Sequence, residues 1–390
     1  MHKKSVHIAR RMTDIQPFHV MDILARARQL EAAGRSIVHM EIGEPDFVTA
    51  ETVVRAGQQA LEEGKTHYTP AMGITELRQA ISNHYRNSYG IDVAPERIII
   101  TPGSSGALQL ICGVLIDPGQ QLLMADPGYP CNRHFVRLME GSATSVPVGP
   151  ETSYQLTAEL VTRHWQEATV AALLASPSNP TGTVIGQEEL QAILNVVSER
   201  DGRLIVDEIY HGLIYEGGTT SVLALTDQAF VVNSFSKYFG MTGWRIGWLV
   251  APLEYVREIE KLAQNIFISA STPAQYAALA AFDPETIAIL EQRKAAFRER
   301  RDFLLPALRE LGFEIPLIPP GAFYIYADCS RFTDDSYRFA LQLLEATGVA
   351  ITPGVDFGHY RPERHVRFAY TTSLAQLREG VARLKRHLAA

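Results

Sequence analysis

The sequence predicts an α/β fold, with a mostly parallel central sheet covered by helices on both faces and a smaller α+β domain built from both chain ends. Short apolar runs alternate with helical patterns through the middle of the chain. Those runs are near-continuous in Val, Ile, Leu and Ala, as in strands buried on both faces. The two ends differ, mixing amphipathic helices with a strand pair.

The elements follow in order. An amphipathic helix is expected at Met21–Ala33, closing near Gly34. Strands are expected at Arg97–Thr101, Gln121–Ala125, Val170–Ala175, Arg203–Asp207, Ala229–Asn233 and Arg245–Val250. Helical periodicity separates several of them, at Gly106–Leu115 and Gln187–Glu199. A long helix, Glu285–Leu311, leads into a strand pair at Phe313–Ile318 and Ala322–Asp328. A helix at Asp334–Thr347, a strand at His365–Tyr370 and a closing helix complete the chain. The implied division is a large domain over 47–284 and a small domain, with an N-terminal arm, over 1–46 and 285–390. A length of 390 residues is comfortable for two domains.

Composition excludes several functions. The chain is 46% hydrophobic and 20% charged, ordinary for a soluble globular protein. A formal net charge of −7 supplies no field toward nucleic acid or anionic membrane. Basic residues open the chain (Lys3, Lys4, Arg10, Arg11), but no apolar stretch follows, so no secretory signal is expected. No apolar run approaches the ~18 residues of a membrane span. The run Arg298–Arg301 reads as a solvated helix face. Cys112, Cys131 and Cys329 show no C-x-x-C spacing. They suit buried positions in a reducing cytoplasm better than disulfides, and no metal site is expected.

Ligands of open α/β sheets bind beyond the carboxyl ends of the strands. Five consecutive strand ends carry polar, Gly/Pro-rich turns: Pro102–Gly106, Asp126–Pro130, Ser176–Gly182, Asp207–Tyr210 and Ser234–Lys237. One such turn is weak evidence, because loops are polar anyway. Five on one edge converge on one crevice. Gly103-Ser104-Ser105-Gly106 puts free backbone N–H groups at a helix N-terminus, a site for phosphate; plain capping by serine is the alternative. Ser234 and Ser236 add hydroxyls near Lys237, and Arg245 offers a bidentate partner to the same anion. Asp207 ends an apolar strand and needs a cation, either a ring N–H⁺ or an Arg or Lys. A partly buried lysine near other positive charge has a lowered pKa and forms Schiff bases, which makes Lys237 the candidate nucleophile.

At these positions the chain resembles class I/II aminotransferases, pyridoxal-phosphate enzymes of fold type I. The resemblance rests on Ser178–Gly182 (Ser-Asn-Pro-Thr-Gly), Asp207–Tyr210 (Asp-Glu-Ile-Tyr) and the run from Ser234 to Gly247, and it extends from about Gly43 to Arg367. It implies pyridoxal 5′-phosphate held as an aldimine by Lys237, which also carries the proton during catalysis. Asp207 is implied to pair with the pyridine nitrogen. Tyr210 and Asn179 would bond the phenolic oxygen, and Tyr129 would stack on the ring. Ser104, Ser105, Ser234, Ser236 and Arg245 would hold the phosphate. Arg367, with Asn179 and Gly43, would grip the substrate α-carboxylate. Tyr68 resembles the tyrosine that reaches the neighbouring subunit's phosphate, implying a homodimer.

The activity implied is ping-pong transfer of an amino group from an L-amino acid to a 2-oxo acid. Another reaction on the same cofactor, such as β-elimination or C–S lysis, is the alternative, and a ligand-sensing regulatory domain is the non-enzymatic one. Phe18, Ile42 and Phe267 lie beside the motifs as candidate side-chain contacts, with plain core packing as the alternative. Their apolar character leans toward alanine-like, aromatic or broad specificity; an activity resembling aspartate aminotransferase is the alternative, and the donor is left open.

Overall fold

The structure is a computed structural model that describes residues 6–218 and 220–388. Lys3 and Lys4 of the basic N-terminus lie outside the described residues. Strand β1 (Val38–Met40) precedes a seven-stranded sheet made of β2 (Ile98–Thr101), β3 (Gln121–Asp126), β4 (Ser142–Pro147), β5 (Thr169–Ala175), β6 (Arg203–Asp207), β7 (Phe230–Ser234) and β8 (Gly247–Val250). Its order is β2-β8-β7-β6-β5-β3-β4. Only β8 runs against its neighbours; the other pairs are parallel. The carboxyl ends of β2, β3, β5, β6 and β7 therefore share one edge, where β8 begins.

Side-chain alternation explains why the strand runs are apolar throughout. Ile98, Ile100, Leu174, Val206 and Val231 enter one core. Their neighbours Ile99, Leu173, Ile205, Phe230 and Val232 enter another, on the opposite face. Both faces are covered by helices, so neither tolerates polar residues.

A four-stranded sheet joins β1 to β9 (Tyr324–Asp328), β10 (Val349–Pro353) and β11 (His365–Ala369), in the order β1-β10-β11-β9. It packs with the helices His19–Ala32, Pro284–Leu311, Ser336–Thr347 and Leu374–Leu388 around a core that includes Ile23, Val38, Leu304, Leu343, Phe368 and Leu377. Among the described residues no helix is long and apolar enough to cross a membrane.

Two expectations need correction. Phe313–Ile318 is not a strand; a single bridge, Glu314 to Asp328, is all that pairs. Pro316 lacks the N–H that would extend the ladder, and Pro319 and Pro320 follow it. Tyr324–Asp328 pairs instead with β11. Nor is all of Arg298–Arg301 a solvated face: Arg298 and Glu299 are exposed, but the next two arginines are not. Arg300 is buried and bidentate to Asp46, at 2.8 and 3.1 Å. Arg301 is buried and bidentate to Glu216, at 2.6 Å for both bonds. Arg300 also donates to Thr371 O and Arg301 to Pro319 O, so the long helix pins segments from both halves of the chain.

Candidate active site

The shared strand edge opens into a cavity of about 220 Å³, walled by Gly43, Ser104, Ser105, Tyr129, Asn179, Asp207, Tyr210, Ser236, Lys237, Arg245 and Arg367. Phe18, Val20, Met21, Glu41, Ile42, Pro177, Ile209, Thr242 and Tyr324 also line it.

At one end lies the anion cradle. The helix Gly103–Leu115 starts three residues earlier than its periodicity suggests, and no side chain caps it. Its first N–H groups are therefore free of intrahelical partners. Ser104 and Ser105 do not cap the helix; they face the cavity. Gly103 has φ +69°, and a Cβ there would sit 2.6 Å from Arg245 Nη2, so the guanidinium lies directly over the helix start. Arg245 itself holds a left-handed φ of 53° and is anchored by Nη1 to Thr242 O at 3.1 Å. Ser236 reaches the cavity. Ser234 is turned away, its hydroxyl bonded to Ile246 O at 3.1 Å and to Ser236 Oγ at 2.9 Å.

The floor carries two perturbed groups. Asp207, at the end of β6, accepts the Ile209 N–H at 3.1 Å and has no ion pair among the described residues. Burial pushes it up to about 6, against the opposing pull of that N–H and of Lys237. Lys237 donates from Nζ to Gly43 O at 2.7 Å. Burial, then Arg367 and Arg245, push it down to about 8. Tyr129 lines the same space, its phenol raised by burial.

Arg367 closes the far end. It is 3% exposed and lies on β11 opposite Thr352 of β10 and Tyr326 of β9. Nη1 donates to Asn179 Oδ1 at 2.8 Å; Nη2 donates to Glu41 O at 2.7 Å and to Thr352 Oγ1 at 3.1 Å. Its Nε–H is buried with no partner, leaving donor capacity for an anion. The guanidinium carbon lies 4.2 Å from the ring centre of Tyr324 and 4.9 Å from that of Phe357. Planar and fixed in this way, it suits a carboxylate.

Thus the structure brings together Lys237, Asp207, Tyr210, Asn179, Tyr129, Ser104, Ser105, Ser236, Arg245, Gly43 and Arg367. It sets Tyr68 apart, 79% exposed and outside this cavity. Phe18 and Ile42 line the wall and Phe267 does not, packing instead against the core that holds Ile99. Sequence reasoning missed Tyr324, Thr352 and the carbonyl of Glu41. Tyr324 lies in a run expected to be a strand, and the only available signal was an aromatic residue in a strand after a Pro-Pro-Gly turn.

The comparisons with known proteins agree with one another. The family described as aminotransferase class I and II matches residues 35–384. A valine–pyruvate aminotransferase of Mycobacterium tuberculosis is 39% identical, covering 95% of this chain and 96% of its own. An aspartate/prephenate aminotransferase of Thermus thermophilus is 37% identical, covering 98% of each. Among solved structures, an aminotransferase from Mycobacterium tuberculosis superposes with a TM-score of 0.95 at 39% identity, over 99% of this chain and 100% of its own. Aspartate aminotransferase from Thermus thermophilus with maleate superposes with a TM-score of 0.92 at 36% identity, over 98% of this chain and 100% of its own.

Proposed function

The chain belongs to the class I and II aminotransferase family, and from that membership we propose that it moves the amino group of an L-amino acid to a 2-oxo acid in two half-reactions at one site. The observation that carries this reading is that Lys237 and Arg367 face one cavity, a nucleophilic amine at its floor and a carboxylate grip at its end.

Pyridoxal 5′-phosphate is the cofactor we assign. Its dianionic phosphate fits the uncapped helix start with Ser104, Ser105, Ser236 and Arg245. Ser234 contributes by orienting Ser236 rather than by facing the anion. Asp207 is buried and has no ion pair among the described residues, which is the setting a ring N–H⁺ would complete. Tyr129 supplies a ring to stack on, and Tyr210 and Asn179 supply polar contacts. When bound, the cofactor would supply an electron sink for the bond broken at the substrate's Cα.

The chain's own groups do the rest. Arg367 and Asn179 bind the α-carboxylate and thereby fix which bond at Cα faces the floor. Lys237 Nζ, neutral above about 8 before any ligand binds, accepts the proton leaving Cα. Phe18, Val20, Met21 and Ile42 keep water from the reacting carbon.

Those residues also bear on the donor. Among the described residues the cations on the wall are Lys237, Arg245 and Arg367, and each already has a role. None of this chain's own wall cations is left for a side-chain carboxylate, and Phe18, Val20, Met21 and Ile42 are apolar, so we assign donors with neutral, apolar side chains. The name of the mycobacterial relative, a valine–pyruvate enzyme, supports this, whereas that of the Thermus thermophilus relative names aspartate and prephenate. We further assign a cytoplasmic homodimer: among the described residues all three cysteines are free, which suits a reducing compartment, and the exposure of Tyr68 leaves it available to a second subunit.

Absorbance tests the proposal. Cofactor-loaded protein should show a visible band that shifts on adding valine or alanine, and Lys237→Ala should lose turnover. Colourless protein that takes up no cofactor would sink it. A panel of donors in half-reactions should favour neutral over acidic amino acids, and a preference for aspartate would overturn the donor assignment.

A further inference from the structure

Tyr324 stands between the two ends of the cavity. It is 1% exposed, lies on β9 and forms part of the cavity wall. Its hydroxyl is 2.8 Å from that of Tyr210, and among the described residues neither hydroxyl has another hydrogen-bond partner. Its ring lies 4.2 Å from the guanidinium carbon of Arg367. Its oxygen also presses on Gly43. A Cβ at that position would sit 2.0 Å from Tyr324 Oη, so the backbone that takes the Lys237 Nζ bond is seated against this phenol.

We infer that Tyr324 is a positioning residue that sets both the Tyr210 hydroxyl and the plane of Arg367, linking the cofactor contact to the carboxylate grip through one side chain. The inference rests on the aminotransferase reading, which gives Tyr210 a cofactor oxygen to bond. Each phenol has one proton. When Tyr210 commits its own to the cofactor, its oxygen is left to accept, and Tyr324 is the donor within reach. The two hydroxyls then form a directed chain whose members polarise one another. Tyr324 uses its oxygen toward Tyr210 and its face toward Arg367, so the two roles are separable by substitution.

Tyr324→Phe keeps the ring and removes the donor. Tyr324→Leu removes both. Two readouts distinguish them: the pH midpoint of the absorbance of cofactor-loaded protein, and KM for the amino acid. A weaker donor at the cofactor's phenolic oxygen leaves that oxygen free to hold the neighbouring proton. The midpoint should therefore move to higher pH, on the order of half a pH unit, in both variants. KM should stay within about twofold of the parent in Tyr324→Phe and rise by roughly tenfold or more in Tyr324→Leu.

Tyr210→Phe is the control. A shift in Tyr210→Phe with none in Tyr324→Phe overturns the inference alone. No shift in either removes the cofactor role of Tyr210, and this inference with it. A Leu variant with unchanged KM overturns the link to Arg367.

Discussion

Lys237 differs from a surface lysine in a way that can be measured. An ordinary lysine amine stays protonated up to about pH 10.4. Here burial comes first, then the positive charges of Arg367 and Arg245, and the group is pushed down to about 8. The nucleophile is the neutral amine, so in cofactor-free protein the rate of cofactor capture should climb with pH and level off just above 8. A rate still climbing steeply toward 10 would show that the amine is not perturbed. Asp207 has the opposite sign: burial pushes it up to about 6 in cofactor-free protein, and a ring cation bound beside it would pull it back down. Both residues were legible because Asp207 ends a strand and Lys237 follows one by a short turn, each in a local motif. Arg300 and Arg301 were not. Their carboxylates, Asp46 and Glu216, lie 254 and 85 residues away, and a basic run on a helix carries no sign of partners so distant.

Among the elements, the helix His19–Ala32 shows how a wall is held. No side chain of its own caps its start. Asp356, 2% exposed in the turn after β10, instead accepts the N–H groups of His19 and Val20, both at 2.8 Å. Phe18, Val20 and Met21 are consequently fixed on the cavity wall. Asp356→Ala should lower stability by about 1–2 kcal/mol, read from urea unfolding. It should also raise KM more for valine or phenylalanine than for alanine, and equal effects on all donors would contradict the role given to this wall. Apart from the edge strand β4, the strands of the large sheet were readable because both faces are buried and the runs are mainly apolar. β1, β4 and β10 went unread. β1 is three residues long, and β4 (Ser-Ala-Thr-Ser-Val-Pro) is largely exposed on the sheet edge. Tyr324 was missed for a related reason: its role comes from the register of β9 with β11, which no local pattern encodes.

At the scale of the molecule, Tyr68 is the test of assembly. It is 79% exposed, and Thr272 Oγ1 bonds the carbonyl of His67 beside it at 2.6 Å, holding its loop to the helix Thr272–Leu279. If it completes a second subunit's anion cradle, the protein should sediment as a dimer. Tyr68→Phe should then weaken cofactor retention, read by equilibrium dialysis, without dissociating that dimer. Monomers with full cofactor affinity would reject the arrangement. The pairing of β1 with β10 carries a last consequence, for the order in which a nascent chain matures. Val38 pairs with Val349, and Glu41 O receives Thr352 Oγ1 across 311 positions. Every contact assigned to the cofactor within one chain lies between Ser104 and Arg245. A ribosome that has released residues up to about 250 has thus already exposed the whole cofactor floor. Arg367 is then still to be made, so the groups assigned to the cofactor leave the ribosome well ahead of the one assigned to the substrate carboxylate.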